Sequence, residues 1–490
     1  MRDAGVYTVV SLASLPSTAN LIGNTWVFKV KQNANGTVER LKARITAKGC
    51  AQKHGIDYRE SFSPVANSTT IRLVIYCLVQ RKLLGRSFDI KTAFLYGTLH
   101  DHERVYMRVP EGVPDRDNST CWALQKCLYG LRQSARRFNE HLHATLTKIG
   151  YVRSQHDPCL YLRVTKDSFT LIVIVVDDIL MATSSDDIAD EFLAAMRDTY
   201  KMKDLGRPTY TIGMHFESCA DGGYTISQQR YLSDIVAKFS TANIPSSTIP
   251  MPSALRLTPT GSVSDPDFPL CDATRYRSLV GSLMYALLTR PDVATPVSML
   301  DRFMQAPRKV HMVSALRVLG YLRSTIDLRL HYRPSSDPPL LKCYVDSDWA
   351  ADAATRRSRY GYAIYIGKAL LCWRSKLHSA ITLSTAEAEY VAASETAKEV
   401  LWLRQLLSEI GFPQRTATIM FEDNVPAFSW LQITVSPDAT NISRSKCISS
   451  ATSPVPKQLS LSRLEPAIKE PTSSPRISLA HLSRNTAHRF

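Results

Sequence analysis

An α+β fold in at least two separately folded parts is what this sequence predicts, and three observations predict it. Residues 25–49, "TWVFKVKQNANGTVERLKARITAKG", alternate apolar and polar side chains on both sides of "NANG", the signature of a β-hairpin rich in Lys and Arg. Residues 171–183, "LIVIVVDDILMAT", read as a second hairpin with two adjacent aspartates at or next to its turn. Two Pro- and Ser-rich stretches, "PSSTIPMPSALRLTPTGSVSDPDFP" and "RPSSDPP", then mark linkers or domain edges, and an independent-looking α/β unit follows them.

Each element has its own pattern. In "TTIRLVIYCLVQRKLLG", Ile71, Val74, Ile75, Leu78 and Val79 fall at helical spacing, with Gly85 after the expected end. "RSFDIKTAFL" reads as a strand carrying Asp89. Between Arg132 and Ile149 the apolar positions Ala135, Phe138, Leu142, Leu146 and Ile149 predict a helix stopped by Gly150. Arg132 and Arg136 are expected one turn apart on it, either facing one anion or forming a solvated basic face. Past the first linker, "YRSLVGSLMYALL" and "VHMVSALRVLGYLRST" are helical. The last unit is read as strands at 341–345, 359–366 and 369–374, a helix at 385–410, and a strand ending "TIMFED". That helix opens with "STAE", a capping-box pattern from Ser384 to Glu387.

Composition narrows the class. The chain has 490 residues, 44% hydrophobic and 21% charged, so most of it should fold, into two to four domains. A net charge of +16 favours an anionic partner, with nucleic acid ahead of an acidic membrane. From Thr440 onward eight Lys/Arg face two acids, so about 6 of those charges lie in the last tenth of the chain. Ten cysteines are scattered without a C-x-x-C or framework spacing, as expected of reduced thiols, and no structural zinc site is implied. The apolar runs are too short to span a bilayer, and "MRDAGVYTVV" lacks the regions of a signal peptide. No P-loop, dinucleotide fingerprint or nucleophile elbow is present.

Asp177 and Asp178 beside a turn, with Asp89 at the end of another strand, could gather three carboxylates around hard cations, or could simply occupy a polar turn. Two Mg²⁺ ions about 4 Å apart would activate an attacking oxygen and stabilise a leaving one. Asp346 in "CYVDSDWA", Glu389 in "AEAEYVA" and Asp423 in "MFEDN" form a second candidate set, one acid from each of three elements. Asp348 and Glu387 are near neighbours, but register favours Asp346 and Glu389. His100 and His102 in "LHDHE" have a conceivable ligand spacing but read better as an exposed turn.

The strings "SFDIKTAFLYG", "KCLYGLRQSARRFN" and "VVDDIL" together resemble the reverse transcriptase of Copia-type long-terminal-repeat retrotransposons. "WVFKVK", "KARITAKG", "GIDYRESFSPVA", "VYMRVPEG", "MKDLGRPTYTIGM", "YRSLVGSLMYALLTRPD" and "STAEAEYVA" resemble the same family in the same order, over roughly residues 21–432. The resemblance implies a right-hand polymerase of fingers, palm and thumb, then a connection and an α/β RNase H-like domain. It implies that Asp89, Asp177 and Asp178 are polymerase metal-site carboxylates, and that Phe94 is an aromatic gate against the 2′-oxygen of an incoming nucleotide. Lys42 and Arg44 resemble finger residues that grip the triphosphate, and Tyr129 with Gly130 resembles the motif beside the nascent base pair. Asp346, Glu389 and Asp423 resemble the first three acids of an RNase H site.

Two departures from the family stand out. Where it usually has Tyr-Val-Asp-Asp, the first position is Val175, which removes an aromatic hydroxyl near the primer end; in "GLRQSAR" the usual proline is Ala135. A fourth RNase H acid is expected near the C-terminus, yet no aspartate follows Asp438, and "RSKCISSATS" opens Ser-, Pro- and Arg-rich text. A reading-frame slip near Lys446 is the expectation that motivates.

The implied organisation is a residual segment at 1–20, a reverse transcriptase at 21–245, a linker and connection at 246–337, an incomplete RNase H-like domain at 338–432, and an aberrant tail without regular structure at 433–490. The implied activity is RNA-directed DNA polymerisation with an associated RNase H, using Mg²⁺ or Mn²⁺, two ions per site. The implied partners are an RNA template, a DNA primer, an RNA–DNA hybrid and deoxynucleoside triphosphates, in a cytoplasmic particle with a nuclear stage. The rival expectation is an inactive element remnant, apparently truncated before about Leu21, that acts at most as a basic nucleic-acid-binding protein.

Overall fold

The computed structural model describes residues 5–32, 37–113, 117–240, 244–262, 268–424 and 459–463. Packing divides the chain into two units: Met1–Thr70 with Leu83–Pro208, and Ile71–Lys82 with Thr209–Phe490. The helix Ser68–Gln80 thus has most of its length in the second unit, as do residues 209–245, both expected with the polymerase part. Its anchor is Arg72, a buried guanidinium that donates to the carbonyls of Leu371 and Leu288 and lies over the Trp373 ring. This helix ends at Gln80, ahead of Gly85 as expected, and Gly85 falls inside the next strand, Leu84–Ile90.

The first unit is organised by a six-stranded sheet. Its order is Met202–Gly206, Leu84–Ile90, Asp178–Thr183, Phe169–Val175, Leu160–Val164 and Val152–Arg153, antiparallel throughout. Strand alternation sends Phe88, Ile90, Ile172, Ile174, Ile179 and Met181 to one face. There they bury against Phe138, Leu142 and Leu146 of the helix Ser134–Lys148, and against Ala189, Phe192 and Met196 of Asp186–Arg197. Asp89 lies between Phe88 and Ile90, so alternation alone turns it to the opposite face. Arg132 precedes the helix Ser134–Lys148, which corrects the expectation that it shares a helical face with Arg136.

The Lys- and Arg-rich hairpin forms as expected from strands Asn24–Gln32 and Val38–Ala47. Register pairs Val27 with Arg44, Phe28 with Ala43 and Lys29 with Lys42. Lys42 and Arg44 therefore share one face, and Phe28, Ala43 and Trp26 share the other.

In the second unit four helices, Gln229–Lys238, Ala273–Ala286, Ala294–Leu300 and Lys309–Ser324, enclose an apolar core around Tyr276, Leu283, Val297 and Leu319. A five-stranded sheet follows, in the order Ala369–Leu377, Arg359–Ile366, Leu341–Asp348, Thr418–Glu422 and Leu459–Arg463. The first three strands are antiparallel, and the last two join in parallel. The helix Thr385–Glu409 supplies the crossover that a parallel neighbour requires. Ser384 caps it by accepting from the Glu387 N–H, while Glu387 itself reaches back to the Leu383 N–H. Within the tail expected to lack regular structure, Leu459–Arg463 is a strand. The rest of that tail, with Lys446 and the position of a fourth acid, lies outside the described residues.

Candidate active sites

The aspartates at 177 and 178 sit where two strands meet in the tightest possible way. Val175 pairs with Asp178, leaving Val176 and Asp177 as a two-residue turn, and Val176 has φ +59°. A positive φ at the first turn position matches the twist of a two-residue hairpin, but in a β-branched residue it is strained. Asp178 pairs in turn with Asp89 on the neighbouring strand, so both carboxylates project on one face with Cβ atoms about 5 Å apart. The Asp177 carbonyl accepts from the Ile90 N–H at 2.9 Å, which locks the turn to the strand bearing Asp89.

Electrostatics follow from that crowding. Burial, then Asp177 and Asp89, push the Asp178 carboxyl up to about 6. Burial and Asp89 also raise Asp177, while Arg44 and Lys42 work in the opposite sense. Arg44 lies over the Tyr129 ring at 4.9 Å, and Phe94 meets the same ring edge-on at 4.8 Å. The tyrosine is fixed by its backbone, for its carbonyl accepts from the Ala47 N–H at 2.8 Å. Gly130 beside it has φ +93°, and a Cβ there would stand 2.2 Å from the Ala47 oxygen. Only glycine allows the basic hairpin to approach this closely. Asp89, Asp177, Lys42, Arg44, Phe94, Tyr129 and Gly130 are thus gathered in one region of the first unit.

Arg132 and Arg136 are not presented as a bare cationic pair. Arg132 donates to the Gly49 carbonyl and stacks over Tyr58, whereas Arg136 is held by Glu60 and Glu140. His100 and His102 are exposed with stacked rings and join no cluster of metal-ligand type among the described residues.

The second unit brings Asp346, Glu389 and Asp423 together, each offering a ligand atom within 4.8 Å of the others. Asp346 is on the strand Leu341–Asp348, Glu389 is in the second turn of the helix Thr385–Glu409, and Asp423 follows the strand Thr418–Glu422. Asp346 and Glu389 act on one another's charge, and the Ser347 backbone works to lower both. Burial and the neighbouring carboxylates raise both acids strongly. Glu389 keeps Oε2 buried without a hydrogen-bond partner. An oxygen-only donor set with an unsatisfied buried carboxylate oxygen is chemistry that fits a hard divalent cation.

Glu422 belongs to this neighbourhood and was missed by sequence reasoning. It is buried, acts on Glu389 more strongly than any other charge, and likewise has an unpartnered Oε2. Alternation in "TIMFED" carried the signal, since Glu422 shares its strand face with Met420.

The first unit thus holds paired acids at a tight turn of its sheet, with the Arg44 and Lys42 charges of the basic hairpin acting on them. Residues 5–253 match the family described as Reverse transcriptase (RNA-dependent DNA polymerase). The chain is 34% identical over 414 residues to the Retrovirus-related Pol polyprotein from transposon RE1 of Arabidopsis thaliana, covering 84% of this chain and 28% of that protein. It is also 34% identical over 430 residues to the corresponding polyprotein from transposon TNT 1-94 of Nicotiana tabacum, covering 85% and 31%. The chain therefore belongs to the reverse transcriptase family of Copia-type retrotransposon Pol polyproteins. It spans about three-tenths of the length of these two relatives. The solved foamy viral protease-reverse transcriptase in complex with dsDNA is similar in fold, with a TM-score of 0.50 at 11% identity over 94% of this chain and 80% of that one. Among the described residues no helix is long and apolar enough to cross a membrane.

Proposed function

We propose that this chain is an RNA-directed DNA polymerase joined to an RNase H, each site working with two Mg²⁺ or Mn²⁺ ions. The observation that carries the reading is the pairing of Asp178 with Asp89 beside the Asp177 turn, under the basic face of the hairpin. Asp89, Asp177 and Asp178 would hold the cations, which when bound supply charge neutralisation and an activated oxygen. The protein's own groups do the rest. Arg44 and Lys42 meet the triphosphate of a deoxynucleotide, Phe94 and Tyr129 pack against its sugar and base, and the strained turn fixes the direction of Asp177. Contacts to an RNA template and DNA primer fall on phosphates and are salt-sensitive.

At the second site Asp346, Glu389 and Asp423 would hold the cations for cutting the RNA strand of the resulting hybrid. The strand order and the helical crossover of that sheet support this reading, as do the three gathered carboxylates. Val175 favours a second reading, a remnant that binds nucleic acid without turnover. Primer extension on an RNA template, beside an Asp177→Asn/Asp178→Asn control, decides between them. Extension that disappears in the control upholds the polymerase; folded protein that binds template without extending it upholds the remnant.

A further inference from the structure

Phe94 sits in the short 3₁₀ turn Ala93–Tyr96, just after the strand that carries Asp89. Between the strand and the turn stands Thr92, with left-handed backbone at φ +56° and ψ +40°. Such a conformation in a β-branched residue persists only where the residues on both sides of it are held. They are held by one residue, Lys201. The Lys91 N–H donates to the Lys201 carbonyl at 2.9 Å, and the Lys201 N–H donates to the Tyr96 hydroxyl at 2.8 Å. Lys201 is itself fixed ahead of the strand Met202–Gly206, which pairs Met202 with Ile90 and Lys203 with Asp89. The Tyr96 ring meets Tyr200 edge-on at 4.8 Å, which directs its oxygen toward that amide. On its other side the turn is pressed against the helix Ser134–Lys148, where a Cβ on Gly97 would stand 2.9 Å from the Phe138 nitrogen. Phe94 is left between Tyr129 and Phe138, edge-on to both rings at 4.8 and 6.3 Å.

We propose that Tyr96 is a positioning residue for sugar selection: its hydroxyl ties the turn to Lys201 and so holds the Phe94 ring at a set distance from Asp89. The proposal rests on the reading of Phe94 against the sugar of an incoming nucleotide and extends it to a residue that acts through Phe94. Without the phenol oxygen the turn has no anchor after Thr92, which then relaxes toward ordinary backbone and carries Phe94 with it. Repulsion between a ring and a 2′-oxygen rises steeply as they approach, so a small retreat of the ring admits a ribonucleotide.

The test is single-nucleotide addition by the full chain to a DNA primer on an RNA template. The readout is the ratio of kcat/KM for a deoxynucleotide to that for the matching ribonucleotide. Tyr96→Phe keeps the ring and removes the acceptor; it should lower that ratio at least about fivefold and change kcat for the deoxynucleotide less than about threefold. Hydrogen exchange at the Lys201 amide should quicken in the same variant, with no nucleotide present. Phe94→Val, which removes the ring itself, should lower the ratio further. If Phe94→Val lowers the ratio and Tyr96→Phe does not, the proposal is overturned and the sugar reading of Phe94 stands. If neither lowers it, that reading fails and the proposal with it; a parent chain that adds neither nucleotide removes the polymerase reading beneath both. A Tyr96→Phe chain that fails to fold, slows both nucleotides equally or keeps its Lys201 amide protected also overturns the proposal, and leaves Tyr96 a packing residue.

Discussion

At Asp177 two cationic side chains, Arg44 and Lys42, oppose the effects of burial and of Asp89. At Glu389 the leading influences are burial and the carboxylates of Glu422 and Asp346. The first site thus has positive charge acting on it from Arg44 and Lys42, and on the proposed reading that charge would meet an incoming triphosphate. The second cluster sets a buried Glu389 beside a half-buried Asp346 and an exposed Asp423, and on the proposed reading it would take its positive charge from bound cations. A site that must bind and release a charged nucleotide at every turnover benefits from fixed protein cations. A site acting on a nucleic-acid backbone can leave charge compensation to its metals.

The largest expected effects separate the two regions. Asp178→Asn should reduce primer extension by at least about 10³-fold and leave hybrid cleavage within about threefold, and Glu389→Gln should do the reverse. Steady-state assays of both activities on the same preparations check this. Loss of both activities in one folded variant would break the comparison, because it would mean that the two sites do not act independently.

Metal-free stability sharpens it. Asp178 holds its proton up to about 6 in the folded chain, against about 4 when unfolded. The folded state therefore binds more protons, so stability falls as pH rises through that window, and the loss is complete above it. Full burial would make this about 3 kcal/mol; at a half-exposed position about 1–2 kcal/mol is expected. In EDTA at pH 8, Asp178→Asn should recover that amount and Glu389→Gln more, since Glu389 is raised further. Chemical denaturation at pH 5 and pH 8 measures it. An equal gain from both substitutions would remove the contrast in burial.

Much of this was legible in the sequence. Alternation located both hairpins and the strand of Asp89, and helical spacing located Ser134–Lys148 and Thr385–Glu409. Periodicity reports which side chains are buried but not where a chain reverses, so Arg132 was assigned to a helix that starts two residues later. The same limit began the next strand at Arg86, whereas it starts at Leu84 and takes in Gly85. Partners of Arg132 and Arg136 such as Gly49 and Glu60 lie far away in sequence and left no local signal. Glu422 was overshadowed by Asp423, its neighbour in the motif.

Removing one of the two cations that act on Asp177 should move that site toward the other. Arg44→Ala is expected to raise the KM for deoxynucleotides about tenfold, the equivalent of one charge-assisted contact of about 1.4 kcal/mol. Arg44 also lowers Asp177, so its loss should move the acid limb of the extension pH profile upward. A changed KM without that movement would assign Arg44 to the nucleotide alone.

The smallest effect concerns the turn itself. Non-glycine residues with left-handed backbone number six among the described residues, and Thr92, Val176, Ala350 and Arg356 follow or link the acid-bearing strands. Both regions thus hold strained backbone next to their carboxylates, but only in the palm does the strained residue adjoin an acid directly. Left-handed backbone in a β-branched residue costs about 1–2 kcal/mol, and glycine relieves it while adding freedom to the unfolded chain. Val176→Gly should therefore stabilise the chain by no more than about 1 kcal/mol and slow extension a few-fold, because a freer turn no longer fixes the direction of Asp177. Hybrid cleavage should not change. If stability rises and extension is untouched, the strain at Val176 is a by-product of the hairpin twist, and the direction of Asp177 is set instead by its carbonyl's bond to the Ile90 N–H.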